Sequence, residues 1–319
     1  MNAVRRVLAF AAFALLAAAA QAQYPTKPIK LIVPWPPGGA VDTIGRLVAQ
    51  HATEALGQPV IVENRAGAAG AIGSEVVAKA EPDGYTLLMG STTVISVNPA
   101  LQQLPYKPTD FSPITMVAFV PHILVIPAEV PANNLKEFVA WVKSQPGKVN
   151  YASAGPGTPH HIAGEMFKSL AGIDMLQVPY KGTGPAIADL LSNRVQFMSI
   201  EAVAALPQVK AGKLKALGVA TPQRNPLAPE IPTVAEAGIP GFEVTSWYGV
   251  VAPNGVPRQA AALLATTISK AIETPAFREK LSNLGAIPVG GTPEQFGEIL
   301  QRENAKWAKA IKDANIRVD

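Results

Sequence analysis

Three loops combine glycines or hydroxyl side chains with a position directly after a predicted strand, where open α/β sheets bind their ligands. The first, residues 34–42, contains Gly38 and Gly39, whose bare backbone N–H groups can approach an acceptor oxygen. The predicted helix behind this loop adds partial positive charge at its start, which suits a carboxylate. A plain strand-to-helix turn is the alternative interpretation. The candidate ligand contacts in this loop are Trp35, Pro37, Gly38, Gly39 and Asp42.

Two further loops have the same position and composition. Residues 90–93 place Ser91, Thr92 and Thr93 directly after a predicted strand, although helix capping explains these hydroxyl groups equally well. Residues 153–160 follow a strand in the second half of the chain and precede a helix, so this loop is expected to face the first loop across a cleft. Its candidate contacts are Ala154, Gly157, Thr158 and His160.

Side chains that could distinguish one ligand from another lie further along the chain. Tyr180 and Thr183 follow one predicted strand, and Glu201 follows the next. Glu201 could meet an ammonium or hydroxyl group of the ligand, or it could be a solvated loop residue. Backbone donors cannot separate ligands that share a carboxylate, so the loop around Gly39 is predicted to be the general anchor. A branched side chain at Gly39 is expected to abolish binding, partly because it would need a disfavoured φ.

The sequence lacks the residues that several kinds of catalytic, cofactor-binding and metal site require. The chain has no cysteine, which excludes disulfides, thiolate nucleophiles and zinc–thiolate sites. The four histidines have no evident nucleophilic partner, and no G-x-S-x-G sequence occurs. The series Gly67-x-x-Gly70-x-x-Gly73 has the wrong spacing for a dinucleotide fingerprint, and His161 with Glu165 lacks a third metal ligand. We therefore predict a binding protein rather than an enzyme, with no cofactor and no metal.

Length and composition indicate the kind of fold that holds these loops. The chain has 319 residues, of which 48% are hydrophobic and only 16% charged, so it forms a core and is not a disordered segment. It is longer than a single hydrophobic core usually serves, and two lobes are expected. Its 30 prolines and 26 glycines favour many sharp turns over long helical bundles.

Alternating strands and helices predict an α/β fold with a parallel sheet covered by helices on both faces. One series of strands and helices occupies residues 30–89, and a second series restarts after Pro127. Two strand-like crossings, Phe111–Pro127 and Val244–Ala252, are predicted to join the lobes as hinges. The predicted domains are residues 23–118 together with 248–319, and residues 119–247.

The first 22 residues have the pattern of a secretory signal peptide. Arg5 and Arg6 precede 14 apolar residues, and Ala20-Gln21-Ala22 provides a cleavage site, predicted after Ala22. Such a short run cannot span about 30 Å of hydrocarbon, which argues against the alternative of a membrane anchor. Loss of both arginines leaves 25 basic and 23 acidic residues, a net charge of +2. We predict a periplasmic protein with no nucleic-acid partner.

Short motifs recur along the whole mature chain. They are IVPWPPGGxxD at 32–42, VENRxGxxG at 62–70, PDGYTL at 82–87, YASAGxGTxH at 151–160, VPYKG at 178–182, IPTVAEAG at 231–238, GF at 241–242 and SWYG at 246–249. In this order the motifs resemble those of the Bug family, the periplasmic solute-binding components of tripartite tricarboxylate transporters. Trp35 stands where that family more often has Phe, and Gln196 and Glu201 lie in a stretch where it usually has Asp.

The resemblance implies a two-domain, Venus-flytrap α/β fold of the type II-like class, in which each lobe is a central sheet flanked by helices. It also implies a carboxylate ligand, held by the first loop through backbone groups and ordered water, by the loop 153–160 and by the hydroxyl groups after Gly90. The implied partners are the membrane permease subunits of a transporter, with the binding protein itself a monomer. The alternative is a sensor that presents its closed, carboxylate-bound form to a receptor kinase. The ligand could be a citrate-like acid, a dicarboxylate, an aromatic acid or an amino acid.

Overall fold

The computed structural model describes residues 24–226, 228–313 and 316. The predicted signal peptide, residues 1–22, lies outside the described residues. The strands are β1 (Ile29–Val33), β2 (Val60–Asn64), β3 (Thr86–Ser91), β4 (Phe111–Pro127), β5 (Asn150–Ser153), β6 (Leu176–Pro179), β7 (Met198–Glu201), β8 (Leu214–Val219), β9 (Thr245–Pro253) and β10 (Ile287–Pro288). The α-helices are α1 (Ala40–Leu56), α2 (Ala71–Ala78), α3 (Asn98–Leu101), α4 (Leu135–Lys143), α5 (Pro159–Ala171), α6 (Thr183–Leu191), α7 (Ala202–Lys210), α8 (Arg258–Glu273), α9 (Pro275–Asn283) and α10 (Pro293–Asp313). A π-helix spans Thr92–Val97, and short 3₁₀ turns span Ala68–Gly70 and Pro108–Asp110.

The long strand β4 belongs to two groups of strands. Its first part pairs with β9 and β10 in the order β10-β4-β9-β3-β1-β2, and we call the part of the molecule built on these strands the first lobe. From His122 onward β4 pairs instead with β7 and β8. Strands β5 and β6 join β7 through a bridge between Tyr151 and Phe197, and we call this part the second lobe. Two crossing segments were predicted at these places in the sequence, whereas the domain boundaries themselves stay a prediction.

The expectation of a parallel sheet was only partly right. Strand β1 runs parallel to β2 and β3, and β5 runs parallel to β6. The pairs that involve β4 are all antiparallel, as is the pair of β3 with β9. The reason is that β4 carries the chain into the second lobe and β9 brings it back, and neighbouring strands that run out and back pair antiparallel.

Apolar periodicity explains how the first helix is placed behind the first loop. Ile44, Val48 and Ala52 of α1 recur on one face and are buried, and Ile44 and Val48 lie in one core cluster with residues of β1. Gly57 ends the helix in the left-handed conformation, which glycine adopts readily at helix ends. The start of α1 is therefore fixed at the carboxyl end of β1, where ligands of α/β sheets bind.

Helix α10 packs against both lobes. Its Phe296 contacts Trp247 of β9 at 5.6 Å between ring centroids, in the core of the first lobe. Its Trp307 lies in a cluster with Leu124 and Phe138 of the second lobe. Among the described residues no helix is both long enough and apolar enough to cross a membrane.

Candidate functional site

A cavity lies between the two lobes. Both lobes and the crossing strand β9 contribute to its walls. The lining residues are Trp35, Pro36, Gly39, Ala40, Val41, Ser91, Thr92, Thr93, Ala154, His160, Thr183, Gly184, Glu201, Ser246 and Tyr248.

Two helices begin at the cavity from opposite lobes. Gly39 precedes α1 in the first lobe, and Gly182 precedes α6 in the second. Neither helix has a side chain that caps its first turn. Backbone N–H groups in a first turn have no partner within the helix, and the helix dipole adds positive charge there. The cavity walls therefore favour a negatively charged group.

The lobes touch each other beside the cavity, at Gly182 and Pro36. A Cβ atom built on Gly182 would lie 3.2 Å from Pro36 Cδ, so the absence of a side chain allows this approach. Gly182 also has a φ of +118°, which L-amino acids with side chains rarely adopt. The lobes are thus closed over the cavity, and a glycine forms the contact.

Buried polar side chains of the second lobe and β9 form one end of the cavity. Glu201 Oε2 lies 2.9 Å from His160 Nε2, and Glu201 Oε1 accepts a hydrogen bond of 2.9 Å from the Tyr248 hydroxyl. Glu201 and His160 are each only 4% exposed. His122 lies behind them, 5.2 Å from His160 between ring centroids, with Nε2 2.8 Å from Ser246 Oγ. Each carboxylate oxygen of Glu201 is thus occupied by a protein donor.

The charges of this cluster follow from burial and from mutual contact. Burial raises the pKa of Glu201, but the charge and hydrogen bond of His160 outweigh it and hold the pKa well below its usual range. Burial lowers the pKa of His122 to about 4, so that ring is neutral at pH 7. Burial and the Glu201 carboxylate raise the pKa of Tyr248 well above its usual value, and the phenol keeps its proton.

Three polar atoms of the lining residues are buried without a hydrogen-bond partner among the described residues. They are Trp35 Nε1, Ser91 Oγ and His160 Nδ1. Buried polar groups in proteins are nearly always hydrogen-bonded, and an unmatched group costs free energy. Indole N–H is only a donor, and a serine hydroxyl can donate. Trp35, Ser91 and His160 all line the cavity, so their unmatched polar atoms are candidate partners for a ligand there.

Asp42 was predicted to contact the ligand, and the structure shows that it does not line the cavity. Its carboxylate accepts hydrogen bonds from Gly38 N at 3.0 Å, Arg46 Nε at 3.0 Å and Asn64 Nδ2 at 2.9 Å. Asn64 also donates to the Trp35 carbonyl at 3.0 Å. A buried carboxylate needs such partners, so Asp42 faces inward and holds the first loop in shape.

We expect Asp42→Asn to reduce the free energy of unfolding by roughly 2 kcal/mol at neutral pH, because an amide nitrogen would face the donors that now meet a carboxylate oxygen. Burial raises the pKa of Asp42, but hydrogen bonds from Arg46, Asn64 and Gly38 outweigh it and leave the pKa lowered. The stabilisation is therefore present above about pH 4 and lost as the pH falls further. Denaturant titrations at several pH values measure it.

The exposed Asp174, whose side chain is 76% exposed, provides a matched Asp→Asn control. Its variant should follow the wild type at every pH. A difference between Asp42→Asn and wild type that persists undiminished well below pH 4 would contradict the charge-based account of this loop.

Nine of the fifteen predicted site residues line the cavity, and six do not. Pro37 and Gly38 are exposed beside it, and Asp42 holds the loop. Gly157 N donates to His161 Nδ1, Thr158 Oγ1 donates to the Gly155 carbonyl, and the Tyr180 hydroxyl donates to Asp189. The nine that the structure brings together are Trp35, Gly39, Ser91, Thr92, Thr93, Ala154, His160, Thr183 and Glu201.

The backbone argument for Gly39 was wrong. Its φ is −86°, which any residue can adopt, and a Cβ atom there would meet no atom within 4 Å. Gly38 is the glycine of this loop that has a positive φ, +89°. Gly39 still lies at the cavity wall, so a side chain on it would enter the ligand space without straining the loop.

Sequence reasoning missed Ser246 and Tyr248 of β9, together with Pro36, Ala40, Val41 and Gly184. The segment around Ser246 was assigned to a crossing between the lobes and to a family motif, but not to the ligand site. Residues two apart on a strand share a face, so this spacing could have marked Ser246 and Tyr248 as one polar face of the hinge. No group of three His, Asp or Glu side chains that could hold a metal occurs among the residues that the structure describes.

The chain is similar to known proteins of one family. Residues 44–316 match the tripartite tricarboxylate transporter family receptor. The chain is similar to protein BugT of Bordetella pertussis, with 37% identity over 298 residues that cover 92% of this chain and 91% of BugT.

Two solved structures are also similar, and each contains a carboxylate. An R. palustris protein with adipate superimposes with a TM-score of 0.90 at 34% identity, over 92% of this chain and 99% of the other. MatC from Rhodopseudomonas palustris with bound malate superimposes with a TM-score of 0.85 at 33% identity, over 90% of this chain and 100% of the other. The predicted resemblance and the two-domain α/β fold are confirmed.

Proposed function

We propose that this chain, which belongs to the tripartite tricarboxylate transporter receptor family, captures a small carboxylate between its lobes and delivers it to membrane permease subunits. Binding proteins of this family are periplasmic, and the predicted signal peptide, cleaved after Ala22, accounts for export of this chain. We further propose that it works as a monomer and catalyses no reaction. The sensor alternative uses the same closure on a carboxylate, and no feature of the cavity favours it.

The convergence of donors in the closed cavity carries this proposal. Trp35 Nε1 and Ser91 Oγ lack partners within the described part of the chain, and α1 and α6 begin at the walls without side-chain caps. A carboxylate has two oxygens that accept several such hydrogen bonds. Adipate and malate, the ligands of the two similar structures, are both carboxylates.

Ser246 and His122 are the pair most similar to a catalytic nucleophile and its base, but their surroundings argue against catalysis. Ser246 Oγ lies 2.8 Å from His122 Nε2, but the other ring nitrogen of His122 meets the hydroxyl of Ser199 at 3.2 Å. A pKa of about 4 makes His122 a weak base at neutral pH. This pair lacks the carboxylate that orients the base in serine hydrolases.

Thermal unfolding with adipate, malate and a wider set of mono-, di- and tricarboxylates and amino acids tests the proposal. A ligand at about 100 times its Kd stabilises the protein by roughly 2.7 kcal/mol, which shifts the melting temperature measurably. We expect at least one carboxylate to do so. The absence of any shift across this set would overturn the proposed function.

The amide analogue of the best acid should bind about tenfold more weakly or worse, because each lost charge-assisted hydrogen bond is worth about 1.5–3 kcal/mol. Calorimetry with acid and amide, for example adipate and adipamide, measures the difference. Equal affinity for both would contradict capture of an anionic oxygen.

A further inference from the structure

The His160 ring is held from one side only. Its Nε2 lies 2.9 Å from Glu201 Oε2, whereas Nδ1 is buried and has no partner among the described residues. Because His160 lines the cavity, Nδ1 is the ring nitrogen left to meet a ligand. Its chemistry depends on the charge of the ring: Nδ1 donates a hydrogen bond when the ring is protonated and accepts one when the ring is neutral with its proton on Nε2.

The surrounding groups decide which state suits an anion. Glu201 on β7 is ionised, and His122 on β4 and Tyr248 on β9 are both neutral at pH 7. Lys306 on α10 also acts on this cluster, through His122, and its side chain is 43% exposed, so water screens it. With a neutral His160 this end of the cavity would carry one net negative charge and would repel a carboxylate.

We propose that His160 binds the ligand carboxylate as a protonated ring and that Glu201 is the positioning residue that orients this ring and balances its charge. The carboxylate then accepts a hydrogen bond from Nδ1–H while Glu201 accepts one from Nε2–H. This inference rests on the proposed function. It replaces the earlier prediction that Glu201 itself selects among ligands, since both of its oxygens already have protein donors.

Proton uptake on binding follows from this arrangement. Where the ring is neutral in the free protein, each carboxylate that binds takes up as much as one proton. The Kd should then rise by up to about tenfold per pH unit. The contrary arrangement, a neutral ring whose Nδ1 accepts from a hydroxyl or ammonium group of the ligand, predicts no proton uptake and no such pH dependence.

The test uses adipate and malate as probes, between about pH 6.5 and 8.5, where both acids are ionised. Calorimetry in phosphate and in Tris at each pH gives the protons taken up, because the two buffers differ in ionisation enthalpy. We expect uptake of up to one proton per ligand wherever the ring is neutral in the free protein. In ¹⁵N-histidine spectra at high pH, addition of the probe should protonate both ring nitrogens of His160.

Glu201→Gln should weaken binding about tenfold or more near pH 7.5, because a neutral partner no longer favours the charged ring. His160→Gln should bind with a Kd that no longer depends on pH. Glu236→Gln is the matched control, since Glu236 pairs with Arg224 at the surface of the second lobe, and it should match the wild type throughout.

The outcomes separate the two proposals. Binding of a probe with a single protonated nitrogen in His160 overturns the inference and leaves the proposed function standing. If the wild type binds neither probe nor any other carboxylate of the thermal screen, the proposed function fails, and the inference fails with it. The histidine spectra use the wild-type protein, so the conclusion does not depend on whether the variants fold.

Discussion

Replacing Gly73 with alanine is expected to lower the free energy of unfolding by about 3 kcal/mol and to weaken ligand binding. Gly73 is buried on α2, behind the loop that carries Trp35. A Cβ atom there would lie 2.6 Å from the Arg65 carbonyl oxygen and 2.9 Å from Pro34 Cα. Both are backbone atoms that cannot rotate away, so helix and loop must separate, and overpacking of this kind costs about 1–3 kcal/mol or more.

Gly297→Ala is the matched control for this variant. Gly297 also lies in a helix, α10, but its Cβ atom would be 3.8 Å from Pro113 Cγ, an ordinary contact. Alanine is the better helix former by up to about 1 kcal/mol, so this variant should be neutral or slightly more stable. Thermal and denaturant unfolding compare the two. Equal stability of Gly73→Ala and wild type would show that α2 does not fix the loop in the way described.

Replacing Gly182 with alanine should weaken binding of the best carboxylate from the thermal screen by about tenfold or more. The added methyl group lies 3.2 Å from Pro36 Cδ when the lobes are closed, whereas open lobes would leave it free. A crowded contact costs about 1–3 kcal/mol, which corresponds to between about 5-fold and 150-fold in Kd. Because the cost falls on the closed form, it appears in ligand affinity.

A second glycine separates the loss of closure from backbone strain. Gly238 has a φ of +107°, close to that of Gly182, but its Cβ atom would meet nothing within 4 Å. Gly238→Ala should therefore destabilise the unliganded protein about as much as Gly182→Ala does, without weakening binding. Calorimetry gives the ligand affinity of both variants, and melting curves give their stability. In solution scattering with ligand present, Gly182→Ala should have a larger radius of gyration than Gly238→Ala. Unchanged affinity in Gly182→Ala would mean that this contact does not control closure.

The glycines at positions 67, 70 and 73 have a packing role that their spacing in the sequence did not predict. Their spacing does not match a dinucleotide fingerprint, and it indicated no other role. In the fold, a Cβ atom on Gly70 would lie 2.5 Å from Val94 Cγ1 and one on Gly67 would lie 2.5 Å from Ile72 Cδ1. Gly70 and Gly73 therefore allow α2 and its approach to pack against Val94 and Pro34, which are distant in sequence, whereas Gly67 makes room for the nearby Ile72.

The sequence by itself determined the helices and strands with strong local patterns and the general position of the site. The sequence pattern predicts helices over Leu135–Lys143, Arg258–Glu273 and Pro293–Asp313, and α4, α8 and α10 have these bounds. The segment Phe111–Pro127, predicted with two strand-like runs, is the single strand β4. Periodicity over a few turns and flanking capping residues act within a short segment, so local sequence suffices to specify them. It did not suffice for α7, β8 and α9, since Pro207 lies inside α7 and long-range packing sustains the short elements.

Only the tertiary structure decided which polar side chains face the cavity. Asp42 turned inward to hold Gly38, and Glu201 pairs with His160 and Tyr248 from two other elements. A buried carboxylate is stable only where donors surround it, and here those donors come from as far as 47 residues away along the chain. Local sequence predicts that a carboxylate follows a strand, whereas the direction in which it points depends on donors that the fold brings together.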